Sequence, residues 1–145
     1  FNTAQRLIEK GLKPLDLISE YGLLDKLYKC GEGVQVMPGA IVHKFSSAGR
    51  QCIFNTNSTV DHECVLGDGV HVMGGASIAG GVVVGDFSTI GTNATILPNL
   101  KIGKNVFVGA GAVVTKNIED YSVVVGVPAK LIKRFTPRFD STIFD

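Results

Sequence analysis

The sequence predicts an all-β solenoid, a parallel β-helix built from hexapeptide repeats and preceded by a short α-containing segment. From Val36 to Val114 every sixth residue is apolar, which gives 14 positions in register over residues 36–119. The residue four places after each of them is small or apolar, from Ala40 to Ile118. Glycine directly follows the apolar residue in six of these hexads. Such a period fits neither an α-helix, with about 3.6 residues per turn, nor the alternation of an ordinary strand.

Each hexad supplies one short flat strand and one corner, and three hexads close a triangular coil of 18 residues. The apolar residue points into the coil beside the small residue, and glycine tolerates corner conformations that other residues resist. Residues 36–119 should therefore form about 4.7 coils, stacked about 4.8 Å apart. Residues that are one coil apart in sequence are expected to lie directly above one another.

The segment ahead of the repeat lies outside this register. Asn2 or Thr3 is expected to cap a short helix that ends at Gly11, with its apolar residues on one face. Residues 15–18 are expected to form a short strand. Residues 23–28 are expected to form either a second helix or the lead into the first coil.

The chain also leaves the register after residue 119. Residues 123–130 are typical of a last strand and turn, and residues 131–145 of a tail. The tail carries three phenylalanines that need a surface to pack on: Phe135, Phe139 and Phe144.

Composition narrows the function classes. The 145 residues are enough for one modest domain or a large piece of one. With 14 basic and 13 acidic residues, nothing indicates a nucleic acid or an acidic membrane surface as partner. There is no apolar run of membrane-spanning length and no signal-peptide pattern. Cys52 and Cys64 occupy the small inward position, so both are expected to be buried free thiols, which favours a reduced, cytoplasmic protein.

The polar stretch around His62 is the candidate for chemistry. His62 points outward from its hexad between Asp61 and Glu63, and a histidine beside a carboxylate is the minimum equipment of a general base. A solvated surface histidine is the alternative. Gly80 follows one coil later at the same position, where its amide can approach a ligand and donate to a carbonyl oxygen. Alternatively, Gly80 and Gly81 merely form a corner with special backbone angles.

The other two histidines bear on assembly and on metals. His71 is nine residues after His62, half a coil around, so the two share a site only if they come from neighbouring subunits. His43 is 19 residues before His62 and is interpreted as a lone structural histidine. Three histidines raise the question of zinc, as in the hexapeptide-repeat carbonic anhydrases. That family uses a different histidine spacing, so no metal is expected.

Several motifs together resemble one family. Residues 55–68 resemble the signature of sugar acyltransferases related to bacterial sialic acid O-acetyltransferases and to the N-acetyltransferases of nucleotide-linked 4-amino-sugars. The His62–Glu63 pair, His71 nine residues later and the closing residues 126–130 are the specific elements. The match spans about residues 30–133.

This resemblance implies a left-handed β-helix and a homotrimer, with acetyl-CoA in the groove between adjacent rods and no metal. His62 matches the catalytic base and Glu63 its partner, while Asn55 is assigned to the substrate. The acceptor implied is the amine of a nucleotide-linked amino-sugar of the 4-amino-4,6-dideoxy type, which attacks the thioester directly. Seven residues match the acetyl-CoA site: His71, Gly80, Gly91, Thr92, Pro98, Ala110 and Lys130.

The resemblance also suggests a domain scheme. These proteins usually begin with a small Rossmann-like domain for the sugar nucleotide, and residues 1–20 resemble only its last helix and strand. Residues 1–35 are therefore interpreted as the remnant of that domain, which either precedes this sequence or is absent from the protein. Residues 36–119 are the acyltransferase domain, and residues 120–145 the closing strand and tail.

Other functions stay open at this point. A sugar O-acetyltransferase of the sialic acid type would use the same base on a hydroxyl. A catalytically silent solenoid that serves binding or assembly would need no histidine at all. An ice-binding solenoid would carry outward threonines at one position of the hexad, whereas the threonines here are spread over several.

Overall fold

The computed structural model describes residues 2–135 and contains one helix followed by a stack of very short strands. The strands lie at the predicted hexad spacing because each hexad has one apolar residue to bury and one corner to turn. The elements are α1 (Asn2–Glu9), β1 (Leu17–Ile18), β2 (Leu23–Leu24), β3 (Lys29–Cys30), β4 (Gln35–Val36), β5 (Ile41–Val42), β6 (Ser47–Ala48), β7 (Ile53–Phe54), β8 (Thr59–Val60), β9 (Val65–Leu66), β10 (His71–Val72), β11 (Ser77–Ile78), β12 (Val83–Val84), β13 (Thr89–Ile90), β14 (Thr95–Ile96), β15 (Lys101–Ile102), β16 (Phe107–Val108), β17 (Val113–Val114), β18 (Ser122–Val125) and β19 (Lys130–Arg134).

The strands stack into three parallel sheets that form the faces of a triangular rod. Sheet A contains β1, β4, β7, β10, β13, β16 and β18, sheet B contains β2, β5, β8, β11, β14 and β17, and sheet C contains β3, β6, β9, β12 and β15. From β1 to β17 the paired residues are 18 apart, as His71 and Thr89 are, so the predicted stacking of successive coils is confirmed. The last parallel pair, β16 and β18, has a separation of 16 residues instead, as between Phe107 and Val123. We call the corners between sheets the AB, BC and CA edges, in the order in which the chain passes them.

The rod begins earlier than the clean repeat. Strands β1 to β3 pair in parallel with β4 to β6, so residues 23–28 lead into a first coil and form no second helix. The apolar position does continue backward from Val36, but the small inward position does not, because Asp16 and Tyr28 occupy it. Asp16 still fits there, since its carboxylate accepts a hydrogen bond from the amide of Val34 at 3.0 Å.

The short amino-terminal helix is confirmed. Helix α1 starts at Asn2 and ends at Glu9, and Gly11 stops it with a left-handed φ of 84°. The amide of Gly11 donates to the carbonyl of Ile8 at 2.8 Å, which satisfies one of the free carbonyls at the helix end. No helix within residues 2–135 is long and apolar enough to cross a bilayer.

The core is a single column that runs along the axis of the rod. The predicted apolar positions from Val36 to Val114 are buried, and the small inward residues fill the space beside them. Cys52 and Cys64 are buried free thiols, as expected. Burial raises the pKa of Cys52 to about 11 and also raises that of Cys64, so both thiols are protonated at neutral pH.

The carboxyl end differs from the predicted tail. Strand β18 closes sheet A as expected, but residues 130–134 turn back as β19 and pair with it in antiparallel fashion. This return covers the hydrogen-bonding edge that β18 would otherwise expose. Phe135 follows directly, and its amide donates to the carbonyl of Tyr121 at 2.7 Å. Phe139 and Phe144 lie outside the described residues.

Candidate active site

The BC edge of the third coil presents the candidate base. His62 and Glu63 form the turn between β8 and β9, and backbone hydrogen bonds tie this turn to the coils on both sides. The amide of Glu63 donates to the carbonyl of Lys44 at 3.3 Å, and the amide of Gly81 donates to the carbonyl of His62 at 2.9 Å. The side chains of His62 and Glu63 are 53% and 66% exposed. The predicted outward direction of His62 is therefore confirmed.

The two carboxylates that flank His62 have different partners. The carboxylate of Glu63 lies 3.1 Å from Nδ1 of the imidazole. The carboxylate of Asp61 instead accepts the backbone amide of His62 at 2.8 Å. Since an ionised carboxylate only accepts hydrogen bonds, this contact favours the tautomer of His62 that carries its ring proton on Nδ1 and its lone pair on Nε2. The contact with Glu63 thus leaves Nε2 as the ring nitrogen that can act as a base, on a side chain that is 53% exposed.

Glu63 occupies a backbone position that does not suit it. Its φ is 59°, in the left-handed region, which disfavours residues with a side chain other than asparagine or aspartate. The equivalent position is occupied by Gly81 one coil above Glu63 and by Asn99 two coils above Glu63, and both also have a left-handed φ. A glutamate at this corner therefore gives up conformational stability while it places its carboxylate on His62.

Gly80 packs against the imidazole of His62. A Cβ added at Gly80 would lie 2.7 Å from Cε1, 2.8 Å from Nε2 and 3.2 Å from Nδ1 of that ring. The φ of Gly80 is not left-handed, whereas that of Gly81 is 71°. The special-corner explanation therefore holds for Gly81 and is wrong for Gly80, where glycine is required for space. Within residues 2–135 the amide of Gly80 donates to no acceptor.

The remaining predicted residues are divided between different parts of the rod. Pro98 continues the column of His62 and Gly80 along the BC edge and is exposed. The AB edge carries four predicted residues: Asn55, Gly91, Thr92 and Ala110. Thr92 and Ala110 are exposed there, one coil apart, and Lys130 is exposed at the start of β19. One chain therefore does not bring the His62 column together with the AB-edge residues.

His71 lies on neither edge but in β10 on the outer face of sheet A. Its Nε2 is buried and has no hydrogen-bond partner among residues 2–135. Desolvation by burial lowers the pKa of His71, so its ring is neutral at neutral pH. His43 is exposed on the BC edge and stacks below Asp61 rather than below His62. In the described part of the chain, no three His, Cys, Asp or Glu residues are grouped so that they would hold a metal ion.

One residue at this site was missed by sequence reasoning. Ser46 lies one coil below Cys64, and its buried hydroxyl contacts both ends of the turn that carries His62. The signal in the sequence is a hydroxyl at an inward position that Val82 and Leu100 occupy two and three coils further on.

Comparison with known proteins supports the fold and the class. Residues 63–98 and 81–116 match the family described as bacterial transferase hexapeptide (six repeats). Perosamine N-acetyltransferase from Caulobacter crescentus, solved as a mutant with CoA and GDP-perosamine, is 32% identical with a TM-score of 0.90. That match covers 91% of this chain and 63% of the other.

Two further structures are similar. The acetyltransferase domain of PglB from Neisseria gonorrhoeae, in complex with acetyl coenzyme A, is 33% identical with a TM-score of 0.86, over 89% of this chain and 63% of that one. WeeI from Acinetobacter baumannii is 35% identical with a TM-score of 0.85, over 90% of this chain and 65% of that one. This chain thus spans between 63% and 65% of the length of these three proteins.

The matched repeat fits a left-handed β-helix, which is the hand that the motifs implied. Residues 63–116 therefore carry hexapeptide repeats of the bacterial transferase type, and the resemblance of the chain to the sugar acetyltransferases is confirmed.

Proposed function

We propose that this protein transfers the acetyl group of acetyl-CoA to the amine of a nucleotide-linked amino-sugar of the 4-amino-4,6-dideoxy type. The observation that carries the proposal is the BC-edge arrangement, in which the exposed imidazole of His62 packs against Gly80, whose amide donates to no acceptor among residues 2–135. A base and a hydrogen-bond donor side by side are what acyl transfer requires. Acceptor class and co-substrate are supported by similar proteins solved with CoA and GDP-perosamine or with acetyl coenzyme A.

In this reaction the sugar amine attacks the thioester carbonyl carbon, and Nε2 of His62 takes the proton that the amine loses. The carbonyl oxygen becomes an oxyanion and accepts a hydrogen bond from the amide of Gly80. When the intermediate collapses, the carbon–sulfur bond breaks and the imidazolium returns the proton to the CoA thiolate. A positioned base contributes about 10²–10⁴ in rate, and one oxyanion donor about 10²–10³.

Glu63 serves the base rather than the substrate. Its carboxylate keeps the proton of His62 on Nδ1, so that Nε2 is free to accept one. It also stabilises the imidazolium that forms when Nε2 is protonated. None of the cysteines acts as nucleophile in this scheme, in keeping with the raised pKa values of Cys52 and Cys64.

The same proposal requires more than one subunit. Three of the seven predicted acetyl-CoA residues, Gly91, Thr92 and Ala110, lie on the AB edge, while the base lies on the BC edge, and two edges of one rod face different directions. We therefore propose a homotrimer in which the BC edge of one subunit faces the AB edge of its neighbour. Acetyl-CoA would lie in the cleft between them, with His71 near the acetyl group and Asn55 near the acceptor.

The test compares wild type, His62→Gln and His43→Gln with acetyl-CoA and a panel of nucleotide-linked amino-sugars. CoA and acetylated product are separated by chromatography, because the exposed thiol of Cys30 would react with thiol reagents. We expect His62→Gln to lower kcat by about 10²–10⁴. His43→Gln changes an exposed histidine of the same edge that is none of the proposed site residues, so it should lower kcat far less than His62→Gln does.

Activity retained by His62→Gln would refute the assignment of the base. Transfer to hydroxyl-sugar nucleotides but not to amino-sugars would show an O-acetyltransferase instead. If analytical ultracentrifugation shows that the protein is a monomer under assay conditions and this monomer is fully active, the intersubunit site is refuted.

A further inference from the structure

The hydroxyl of Ser46 is buried directly behind the turn that carries His62. Its Oγ donates to the carbonyl of Asp61 at 2.7 Å and accepts the amide of Cys64 at 3.0 Å. Asp61 and Cys64 are the residues immediately before and after the His62–Glu63 pair. One side-chain oxygen thus joins both ends of this turn, and Ser46 is only 1% exposed.

Besides Ser46, the turn is held by the amide of Gly81, which donates to the carbonyl of His62 at 2.9 Å, and by the amide of His62, which donates to the carboxylate of Asp61 at 2.8 Å. Of its two backbone bonds to neighbouring coils, the one from Glu63 to the carbonyl of Lys44 is long, at 3.3 Å. Both side chains point into solvent, and the left-handed φ of Glu63 favours relaxation toward another conformation. The two bonds to Ser46 are both shorter than this backbone bond and lie where the turn joins the rod.

We propose that Ser46 is a positioning residue for the acetyl transfer, which acts by fixing the direction in which His62 and Glu63 leave the rod. This inference rests on the proposed function, because it assumes that His62 is the base. Without the hydroxyl, the buried amide of Cys64 loses its partner, and the turn is free to shift so that the amide finds another. A shift of about 1 Å at the base is enough to slow a reaction about 10²-fold.

The chain contains a matched control for this effect. Ser88 has the same arrangement on the CA edge, where its Oγ donates to the carbonyl of Gly103 at 2.7 Å and accepts the amide of Val106 at 3.0 Å. It is 0% exposed. The turn that Ser88 holds carries none of the proposed site residues. Ser46→Ala and Ser88→Ala therefore remove equivalent hydrogen bonds, but only the first lies behind the base.

The chain also indicates a conservative replacement. Cys52 and Cys64 occupy the same inward position in other coils, and their thiols lie 3.1 Å and 3.2 Å from the carbonyls of Gly67 and Ala79. A thiol therefore fits this position and reaches the equivalent carbonyl. Ser46→Cys should recover part of what Ser46→Ala loses, since a thiol is a weaker donor and acceptor than a hydroxyl.

The experiment measures kcat, KM for acetyl-CoA and the thermal midpoint for the full chain and three variants: Ser46→Ala, Ser46→Cys and Ser88→Ala. We expect Ser46→Ala to lower kcat about tenfold or more with little change in KM, and Ser46→Cys to fall between it and wild type. Ser88→Ala should lower the thermal midpoint by a similar amount but leave kcat unchanged. An equal loss of kcat in Ser46→Ala and Ser88→Ala, or none in either, would overturn the proposal.

A second readout separates this inference from the proposed function. Proton–nitrogen NMR of histidine-labelled protein reports the ring tautomer without any substrate, and His62→Gln identifies which signals belong to His62. We expect Ser46→Ala, and not Ser88→Ala, to shift those signals away from the form protonated at Nδ1. If wild type transfers acetyl to no acceptor, the proposed function fails, whereas unchanged His62 signals in Ser46→Ala would overturn the positioning role.

Should Ser46→Ala fail to fold, Ser46→Cys is compared with Ser88→Cys. A change of the His62 signals and a lower kcat in Ser46→Cys alone would support the positioning role. Identical behaviour of these two cysteine variants would overturn it.

Discussion

Gly80→Ala tests the contact between Gly80 and the imidazole of His62, which lies one coil below it on the BC edge. The backbone of Gly80 is not left-handed, so alanine is conformationally acceptable there. Its Cβ, however, would lie between 2.7 and 3.2 Å from three atoms of the ring. Since non-bonded carbon atoms prefer about 3.5–4.0 Å, the ring must move away by about 1 Å.

The two expected effects of Gly80→Ala differ in size. His62 is more than half exposed, so its ring can swing into solvent without disturbing the core. Replacing glycine by alanine at a compatible position stabilises by about 0.4–1 kcal/mol through the unfolded state, which offsets the lost ring contact. The free energy of unfolding should therefore hardly change. The kcat should fall about 10²-fold, because the base is displaced by about 1 Å.

The assay is steady-state kinetics and urea unfolding of Gly80→Ala, His62→Ala and the double variant. If alanine acts only by displacing the ring, it should cause no further loss of kcat in the His62→Ala background. A wild-type kcat in Gly80→Ala would refute the packing between this glycine and the imidazole. The same loss of kcat in both backgrounds would show that the glycine acts independently of the ring.

Three further predictions concern stability. Glu63→Asn should raise the free energy of unfolding by about 1 kcal/mol, since asparagine tolerates the left-handed corner, and should lower kcat because Nδ1 of the base loses its carboxylate. Urea unfolding measures the free energy and steady-state kinetics measures kcat. A lower free energy of unfolding in Glu63→Asn would contradict the claim that the backbone of Glu63 is strained. Ser58→Ala should raise the thermal midpoint, corresponding to about 1 kcal/mol, because this hydroxyl is buried without a partner among residues 2–135 and alanine fills the same position in neighbouring coils. A lower midpoint would show that the hydroxyl has a partner. The guanidinium of Arg50 lowers the pKa of Asp68, so their contribution to stability is present above the unfolded pKa of about 3.9 and is lost as the pH falls through the folded value. Unfolding of Asp68→Asn between about pH 5 and pH 2 should therefore depend less on pH than that of wild type, and parallel curves would contradict this.

The fold was predictable because hexad periodicity and burial have the same cause. A residue that recurs every six positions on a triangular coil must either face the core or face solvent, so Val36 and its successors fix the register of the rod. The inward thiols of Cys52 and Cys64 follow from the same register. The start of the rod was missed because Asp16 and Tyr28 break the small inward position, although the backbone continues through them.

The candidate site was predictable where it depends only on the 18-residue spacing between stacked positions. Because one coil is 18 residues long, the sequence alone places Gly80 beside His62. It also separates His62 from His71, since half a coil leads to another face. The closing strand β19 had no such signal, because its pairing with β18 is set by the free edge at the end of the rod rather than by a repeat.

The sequence by itself therefore determined the rod, its core and the column in which His62 and Gly80 lie. The family resemblance paired Glu63 with His62, but only the tertiary structure decided that Asp61 holds the backbone amide of His62, that Gly80 is needed for space, and that Ser46 supports the turn. The physical reason is that a repeat fixes where each Cα lies, whereas the direction of a polar side chain depends on the local turn. Hydrogen bonds to the coils above and below hold that turn, and their partners lie about one coil away in the sequence, so the local sequence does not reveal them.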